Sequence, residues 1–166
     1  EKACGHAIRK GDVLIINTGW HKEYEDGDYF AYCPGLVQSA ADWMVEKDVK
    51  VVGHDTQAND HPLATAIGPQ RNGPILPHLE AEYKEWSGGS DWKDDFPEWE
   101  PVHNTLFSNG ILGIENVGGD LDVVTGKRVT FAFFPWNWDR GDGCIIRLVA
   151  MTDKKQAYRI EAGEEF

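Results

Sequence analysis

The sequence predicts one α/β domain over residues 1–166, with a mixed sheet and flanking helices. Residues 13–18, VLIINT, form an apolar, β-rich run after a Lys-Gly-Asp turn signal, as expected of a strand. Apolar residues then recur at helical spacing over 36–47, and a second short apolar run occupies 49–53, so a helix and another strand are expected. This order of strand, helix and strand predicts a right-handed parallel crossover.

Two further patterns extend the predicted sheet. Over 101–110 a proline suits the first helical position and a glycine suits the residue after the helix end, and 111–115 has the pattern of a short strand. Near the C-terminus, β-rich runs at 128–135 and 144–152 are separated by Asp-Arg-Gly-Asp-Gly at 139–143, which predicts an antiparallel hairpin. The sheet should therefore combine parallel and antiparallel strands.

The helix and strand over 101–115 carry His103 and Glu115. The helix continues for about 9 Å beyond His103 at ~1.5 Å per residue, and the strand returns about 13 Å to Glu115 at ~3.3 Å per residue. Both side chains are expected beyond the carboxyl end of the strand, where open α/β sheets bind ligands. They would form half of a transition-metal site or an acid/base pair. Spacing alone also leaves open a surface histidine and glutamate that share no role.

Hydrophobic content, net charge and cysteine spacing indicate the broad class to which the protein belongs. The 166 residues are 41% hydrophobic with no long apolar run, which predicts a buried core and no transmembrane helix. A formal net charge of −12 argues against nucleic acid and anionic membranes as partners. The three cysteines contain no Cys-x-x-Cys pair, so no disulfide framework or zinc knuckle is indicated, and a reducing, cytoplasmic compartment is expected.

The segment 54–100 has the least regular pattern and is predicted to be a long loop region rich in proline, glycine and tryptophan. A loop of this length is typically a lid or a binding loop. Its aromatic side chains, among them Trp86, Trp92 and Trp99, argue against simple disorder. A pocket wall and a subunit contact are both open roles for it.

Several blocks of sequence resemble, in the same order, the C-terminal half of the cyclase family of metal-dependent hydrolases, which includes bacterial kynurenine formamidases and isatin hydrolases. The blocks are GDVLIINTGW at 11–20, CPGL at 33–36, VKVVGHDT at 49–56, GIENVGGDLD at 113–122 and FPWNWDRGDGCIIRLVA at 134–150. The resemblance implies a swivelling β/β/α (cyclase-like) fold. It also implies that His103 and Glu115 bind a divalent metal, zinc or manganese.

One family signature is missing from the sequence. The family carries a His-x-Gly-Thr-His-x-Asp-x-Pro-x-His segment that supplies most metal ligands and the usual general base, and none of the six histidines here begins such a pattern. The chain also begins at Glu1 rather than Met. By resemblance, we expect a fragment, a processed subunit or one piece of a nicked chain. The general base and the remaining ligands should then lie on a second polypeptide, in a homo-oligomer of such pairs.

Four other residues are candidates for the substrate pocket or for support of the ligands. Asp55 resembles the family's Asp-Thr pair near the active site, although an aspartate there also suits the binding of loop amides. His61 lies farther into the same loop, where a hydrogen-bonded or solvated histidine is the alternative. Trp20 suits stacking on an aromatic substrate or core packing. Asn116 follows Glu115 and is positioned to orient the ligands.

The expected function is metal-assisted hydrolysis of an amide, lactone or N-formyl bond in a small molecule. A different class of function also remains open. Seven tryptophans on an acidic chain suit a non-catalytic module that binds carbohydrate or another ligand through aromatic stacking. A third interpretation is an assembly subunit derived from a hydrolase.

Overall fold

The computed structural model describes residues 7–65 and 77–153. The described residues fall into two compact units: 8–65 and 77–119 belong to one unit, and 120–153 with Ala7 belong to the other. The single domain over 1–166 stays a prediction. The boundary follows Gly118 and Gly119, and Gly119 has a left-handed φ of 67°. Glycine-rich connections are typical of such boundaries.

The first unit contains a three-stranded parallel sheet in the spatial order β1, β2, β3. Its strands are β1 (Val13–Ile16), β2 (Val51–His54) and β3 (Leu112–Ile114). Its helices are α1 (Gln38–Glu46), α2 (Leu79–Trp86), α3 (Trp92–Asp95) and α4 (Pro101–Ser108). Because α1 lies between β1 and β2 in the chain and α4 directly precedes β3, the predicted order of these elements is confirmed.

Strand β2 is the centre of this sheet. Val51 is in register with Val13 of β1 and with Leu112 of β3, and all four residues of β2 are buried. In a parallel sheet the three strands end at one edge. The segments that follow β2 and β3 therefore leave the sheet side by side.

The hydrophobic core lies between the sheet and two helices. Ala41 and Met44 of α1 meet Val102 and Leu106 of α4 and Val52 of β2 in one buried cluster. The spacing of three or four residues along each helix places these side chains on one face. This packing fixes α4 against the sheet and so fixes the position of His103 in its first turn.

The region 54–100 contains regular structure that the sequence did not predict. Helix α2 begins after Pro77, and α3 follows it before Pro97. The residues between these two prolines include Leu79, Tyr83 and Trp86 at helical spacing, which explains why a helix forms there. Leu63 and Trp92, the first residue of α3, form a second buried cluster, and Tyr83 of α2 packs against it. Residues 66–76 of the predicted loop lie outside the described residues.

The second unit contains helix α5 (Leu121–Val124) and the strands β4 (Thr130–Ala132) and β5 (Val149–Met151). The two strands pair antiparallel as predicted, but they are shorter than the β-rich runs, and residues 133–148 connect them. Pro135 has no N–H group for a ladder, which agrees with the early end of β4. Within the described residues, the parallel and antiparallel strands form two separate sheets, which corrects the predicted single mixed sheet.

Helix length bears on membrane insertion. Within residues 7–65 and 77–153, no helix combines the length and the apolar character needed to cross a bilayer.

Candidate functional site

His103 and Glu115 lie together at the carboxyl edge of the parallel sheet. His103 belongs to the first turn of α4, and Glu115 directly follows β3. The His103 Nε2 atom is 2.8 Å from Glu115 Oε1, and the two side chains are 16% and 32% exposed. The structure therefore brings together the two residues that the sequence selected and leaves both partly accessible.

Asp60 holds the other side of the His103 ring. Its Oδ2 atom lies 2.6 Å from His103 Nδ1 and also accepts the His103 backbone N–H at 2.9 Å. Its Oδ1 atom accepts the backbone N–H of Val102 at 2.9 Å. Because an ionised carboxylate only accepts hydrogen bonds, Nδ1 is the donor to Asp60. The proton is thus held on Nδ1, and Nε2 is the nitrogen directed at Glu115.

The charges around His103 raise its proton affinity. Burial by itself lowers the pKa of His103, but the hydrogen bonds and negative charges of Asp60 and Glu115 outweigh that effect and raise the pKa to about 10. Without a metal ion, both ring nitrogens of His103 are therefore protonated at neutral pH, and Nε2 donates a hydrogen bond to Glu115. A positive charge between Nε2 and the carboxylate is what this geometry favours, and a bound cation would supply it as a proton does.

The His103 and Glu115 donors fit part of a metal site. A neutral imidazole nitrogen and a carboxylate oxygen suit zinc, manganese or iron. A carboxylate behind the non-ligating nitrogen, as Asp60 is here, is the usual second partner of a metal-binding histidine. Within the part of the chain that the structure describes, no group of three His, Cys, Asp or Glu side chains could hold an ion by itself. The pair fits as two ligands of a site that needs others.

Asn59 contacts Glu115 from the same segment that supplies Asp60. Its backbone N–H and its side-chain Nδ2 donate to Glu115 Oε1 at 3.2 and 3.4 Å. Both Asn59 and Asp60 are fully buried polar residues. Neither residue was predicted from the sequence as part of the site. Both lie shortly after β2, at the same sheet edge as His103 and Glu115, and this position was the signal that could have identified them.

Asp55 binds the loop that follows β1. Its carboxylate accepts the backbone N–H and hydroxyl of Thr18 at 2.9 and 2.7 Å, and the backbone N–H and Nδ1 of His21 at 3.3 and 3.0 Å. Burial raises the pKa of Asp55, but these hydrogen bonds outweigh burial and lower the pKa to about 2. Of the two roles considered for Asp55, the structure shows the binding of loop amides.

Trp20 and Asn116 both contact Tyr29. The Trp20 Nε1–H donates to the Tyr29 carbonyl at 2.9 Å, and the two rings stack at 6.5 Å. The Tyr29 hydroxyl lies 3.1 Å from both Asn116 Oδ1 and the Asp55 carbonyl oxygen, so these two acceptors share its one hydrogen. Trp20 and Tyr29 line a cavity of about 360 Å³ together with Glu23, Asp26, Asp28 and Tyr32. Asn116 therefore anchors Tyr29, and the substrate-stacking role of Trp20 stays a prediction.

His61 is turned toward a neighbouring hydrophobic cluster. Its Nδ1 accepts the backbone N–H of Leu63 at 3.2 Å, and its ring stacks on Phe96 with 4.6 Å between centroids. Burial lowers the pKa of His61, so the ring is neutral at physiological pH. These contacts account for His61 by packing, and its assignment to the substrate pocket stays a prediction.

Comparison with known proteins gives a family-model match over part of the chain and similar folds among solved structures. The family model described as "Putative cyclase" matches residues 1–61. A crystal structure of an isatin hydrolase bound to the product analogue thioisatinate is 20% identical, with a TM-score of 0.63 over 90% of this chain and 48% of that one. A potential metal-dependent hydrolase with cyclase activity is 21% identical, with a TM-score of 0.52 over 88% of this chain and 53% of that one. No curated protein matches the sequence.

These matches confirm the resemblance to the cyclase family. They also confirm an α/β fold with a parallel sheet and helices. The swivelling β/β/α arrangement stays a prediction. The chain spans about half the length of the two solved structures that it matches.

Proposed function

We propose that this chain, a relative of the cyclase family, carries part of the active site of a metal-dependent hydrolase. His103 and Glu115 would bind a divalent ion, zinc or manganese. The observation that carries the proposal is the His103 ring, held by Asp60 at 2.6 Å on one side and directed at Glu115 at 2.8 Å on the other. The descriptions of the two similar structures as hydrolases support the same class of reaction.

The proposed substrate is a small molecule with an amide, lactone or N-formyl bond. A bound divalent ion lowers the pKa of a water molecule and polarises a carbonyl group. The residues of this chain would hold the ion and fix its place at the sheet edge. His103 would present Nε2 with its remaining proton on Nδ1, and Glu115 would present a carboxylate oxygen.

The other ligands and the general base are proposed to come from a second polypeptide. It would carry the His-x-Gly-Thr-His-x-Asp segment, and such pairs would assemble into a homo-oligomer. Zinc sites in enzymes use three protein ligands and a water molecule, and His103 and Glu115 provide two. The chain alone should therefore bind metal weakly and hydrolyse substrates slowly or not at all.

Metal binding by the chain tests the two proposed ligands. Titration calorimetry with Zn²⁺ or Mn²⁺ should show binding that His103→Ala and Glu115→Ala each weaken at least tenfold. His78→Ala and Glu85→Ala are matched controls, because both side chains are exposed on or beside α2. Equal affinity in the wild type and in His103→Ala would overturn the proposed ligand role.

Analysis of the natively purified protein tests the second polypeptide. Intact mass spectrometry with metal analysis should find a partner chain with a His-x-x-x-His-x-Asp segment and one or two metal ions per pair, about the number such sites hold. That pair should hydrolyse small amides, lactones or N-formyl compounds. A metal-free 18.6 kDa species without a partner would contradict the proposal.

The alternative of a carbohydrate-binding module gains no support from Trp136 and Trp138, two of the exposed tryptophans. Trp136 and Trp138 are 66% and 53% exposed, and their rings are 5.8 Å apart. However, the rings are inclined at 88° to each other, so they do not form one flat face for sugar stacking.

A further inference from the structure

Two consecutive buried residues, Asn59 and Asp60, each hold one of the two proposed metal ligands. Asp60 binds the His103 ring, and Asn59 binds Glu115. Asn59 is 0% exposed and Asp60 is 1% exposed. One short segment after β2 therefore controls the positions of side chains that lie 43 and 56 residues away in the sequence.

We infer that Asn59 and Asp60 are positioning residues of the metal site. Asp60 would select the His103 tautomer with a free Nε2, and Asn59 would set the orientation of the Glu115 carboxylate. This inference rests on the proposed function, because it assigns these residues a role toward ligands that the proposed function names.

Asp60 fixes both the backbone and the ring of His103. Helix α4 has Glu100 at its N-cap position with a left-handed φ of 45° and no side-chain capping bond. The Asp60 carboxylate replaces that cap by accepting the N–H groups of Val102 and His103. The same Oδ2 atom accepts His103 Nδ1. The ring therefore cannot rotate away from Glu115 without losing a hydrogen bond to a buried carboxylate.

Asn59 has one orientation that suits Glu115. With Nδ2 facing Glu115 Oε1 at 3.4 Å, the Asn59 amide donates to the carboxylate. With the amide reversed, its carbonyl oxygen would face the carboxylate and repel it. In the observed orientation, Oδ1 is buried without a hydrogen-bond partner in the described part of the chain. The orientation that leaves this oxygen unpaired is thus the one that serves Glu115.

The two residues should differ in the size of their effect. In Asp60→Asn, an amide donor can replace the carboxylate beside Nδ1, and the ring then favours the tautomer with its proton on Nε2, in which Nε2 has no lone pair for a metal. We expect a 10- to 100-fold loss of Zn²⁺ affinity. Asn59→Ala keeps the backbone N–H that donates to Glu115, so its loss should be smaller.

Calorimetry with Zn²⁺ alone on the 166-residue chain separates this role from a general loss of stability. Val49→Ala is the matched control, because Val49 is buried in the core cluster and precedes β2, at the sheet edge opposite the site. Urea unfolding should show that the Val49→Ala substitution destabilises the chain. The Zn²⁺ affinity of this variant should stay close to the wild-type value. An equal loss of affinity in Val49→Ala and Asp60→Asn would overturn the positioning role.

The tautomer gives a readout that a purely structural role would not change. Long-range ¹H–¹⁵N spectra of the zinc-loaded wild type should show a protonated Nδ1 on His103, and Asp60→Asn should lose that signal. If the wild type binds Zn²⁺ no better than His103→Ala, the proposed function fails. If the wild type binds better than His103→Ala and Asp60→Asn keeps both the affinity and the signal, the positioning role alone fails.

Discussion

Replacing Asp55 by asparagine should destabilise the first unit in a way that depends on pH. The Asp55 side chain is fully buried and accepts four hydrogen bonds from Thr18 and His21. Asparagine has nearly the same shape, so the substitution removes the charge without leaving a large cavity. It therefore tests the part that the carboxylate plays in the contact between the segment after β2 and the loop after β1.

The expected loss in the free energy of unfolding can be estimated from the four hydrogen bonds to Asp55. An asparagine oxygen can keep both bonds from Thr18, but hydrogen bonds to an ionised group are about twice as strong as neutral ones. The amide nitrogen would face the backbone N–H of His21, which the carboxylate accepts at 3.3 Å in the wild type, and would leave it unpaired. An unpaired buried donor costs about 1–3 kcal/mol. We expect a loss of about 2 kcal/mol in the free energy of unfolding at neutral pH.

The pKa of Asp55 gives the same magnitude and the sign of the pH dependence. The folded state lowers it from 3.8 to about 2, and a difference of this size corresponds to about 2 kcal/mol. A depressed pKa stabilises the folded state above the unfolded pKa, and that stabilisation is lost as the pH falls from about 4 to about 2. Asparagine does not titrate, so the variant lacks this part of the pH dependence.

Urea unfolding followed by tryptophan fluorescence at a series of pH values measures the effect. The difference between the wild type and Asp55→Asn should be about 2 kcal/mol near pH 7 and should narrow toward zero as the pH falls to about 2. Asp94→Asn is the control, because Asp94 is exposed on α3, and it should match the wild type throughout. A difference that stays constant between neutral and acidic pH would refute the assignment of the stabilisation to the Asp55 charge.

Two other substitutions test the segments around the site. In Gly35→Ala, the new Cβ would overlap the His61 backbone nitrogen. We therefore expect urea unfolding to show a loss of about 1–3 kcal/mol by overpacking and calorimetry to show weaker Zn²⁺ binding. Unchanged stability and unchanged Zn²⁺ affinity would contradict this prediction. Tyr29→Phe removes the hydroxyl whose one hydrogen is shared by Asn116 Oδ1 and the Asp55 carbonyl, and thermal unfolding should show a loss of about 1–3 kcal/mol. No loss of stability would contradict this role of the hydroxyl.

The parts of the fold that follow local periodicity could be predicted from the sequence. Strands β1 and β2 and helices α1 and α4 all appear where apolar spacing placed them. The ends of the elements depend on tertiary contacts and were less accurate. Strand β1 was predicted over 13–18 but ends at Ile16, because Thr18 turns toward Asp55 and Asn17 accepts the N–H of Gly19 at 2.9 Å.

The residues of the candidate site likewise include a pair that could be predicted from local patterns and a pair that could not. His103 and Glu115 are 12 residues apart, and the lengths of one helix and one strand were enough to bring them together. Asn59 and Asp60 reach them across 56 and 43 residues, and no local pattern reports a contact of that separation. The parallel pairing of β2 and β3 determines this contact, because it places the segments after both strands at one edge of the sheet.

The CPGL block at 33–36, noted for its resemblance to the family, acquires a physical meaning from this arrangement. The backbone of Gly35 approaches His61 so closely that no side chain fits between them, and the Leu36 N–H donates to the Asn59 carbonyl at 2.7 Å. The segment 59–61 is therefore fixed from one side by this loop while its side chains bind His103 and Glu115 on the other. The backbone of Gly35 and Leu36 can thus influence the geometry of both proposed ligands, because a hydrogen bond and a close backbone approach fix the segment on which the ligands depend.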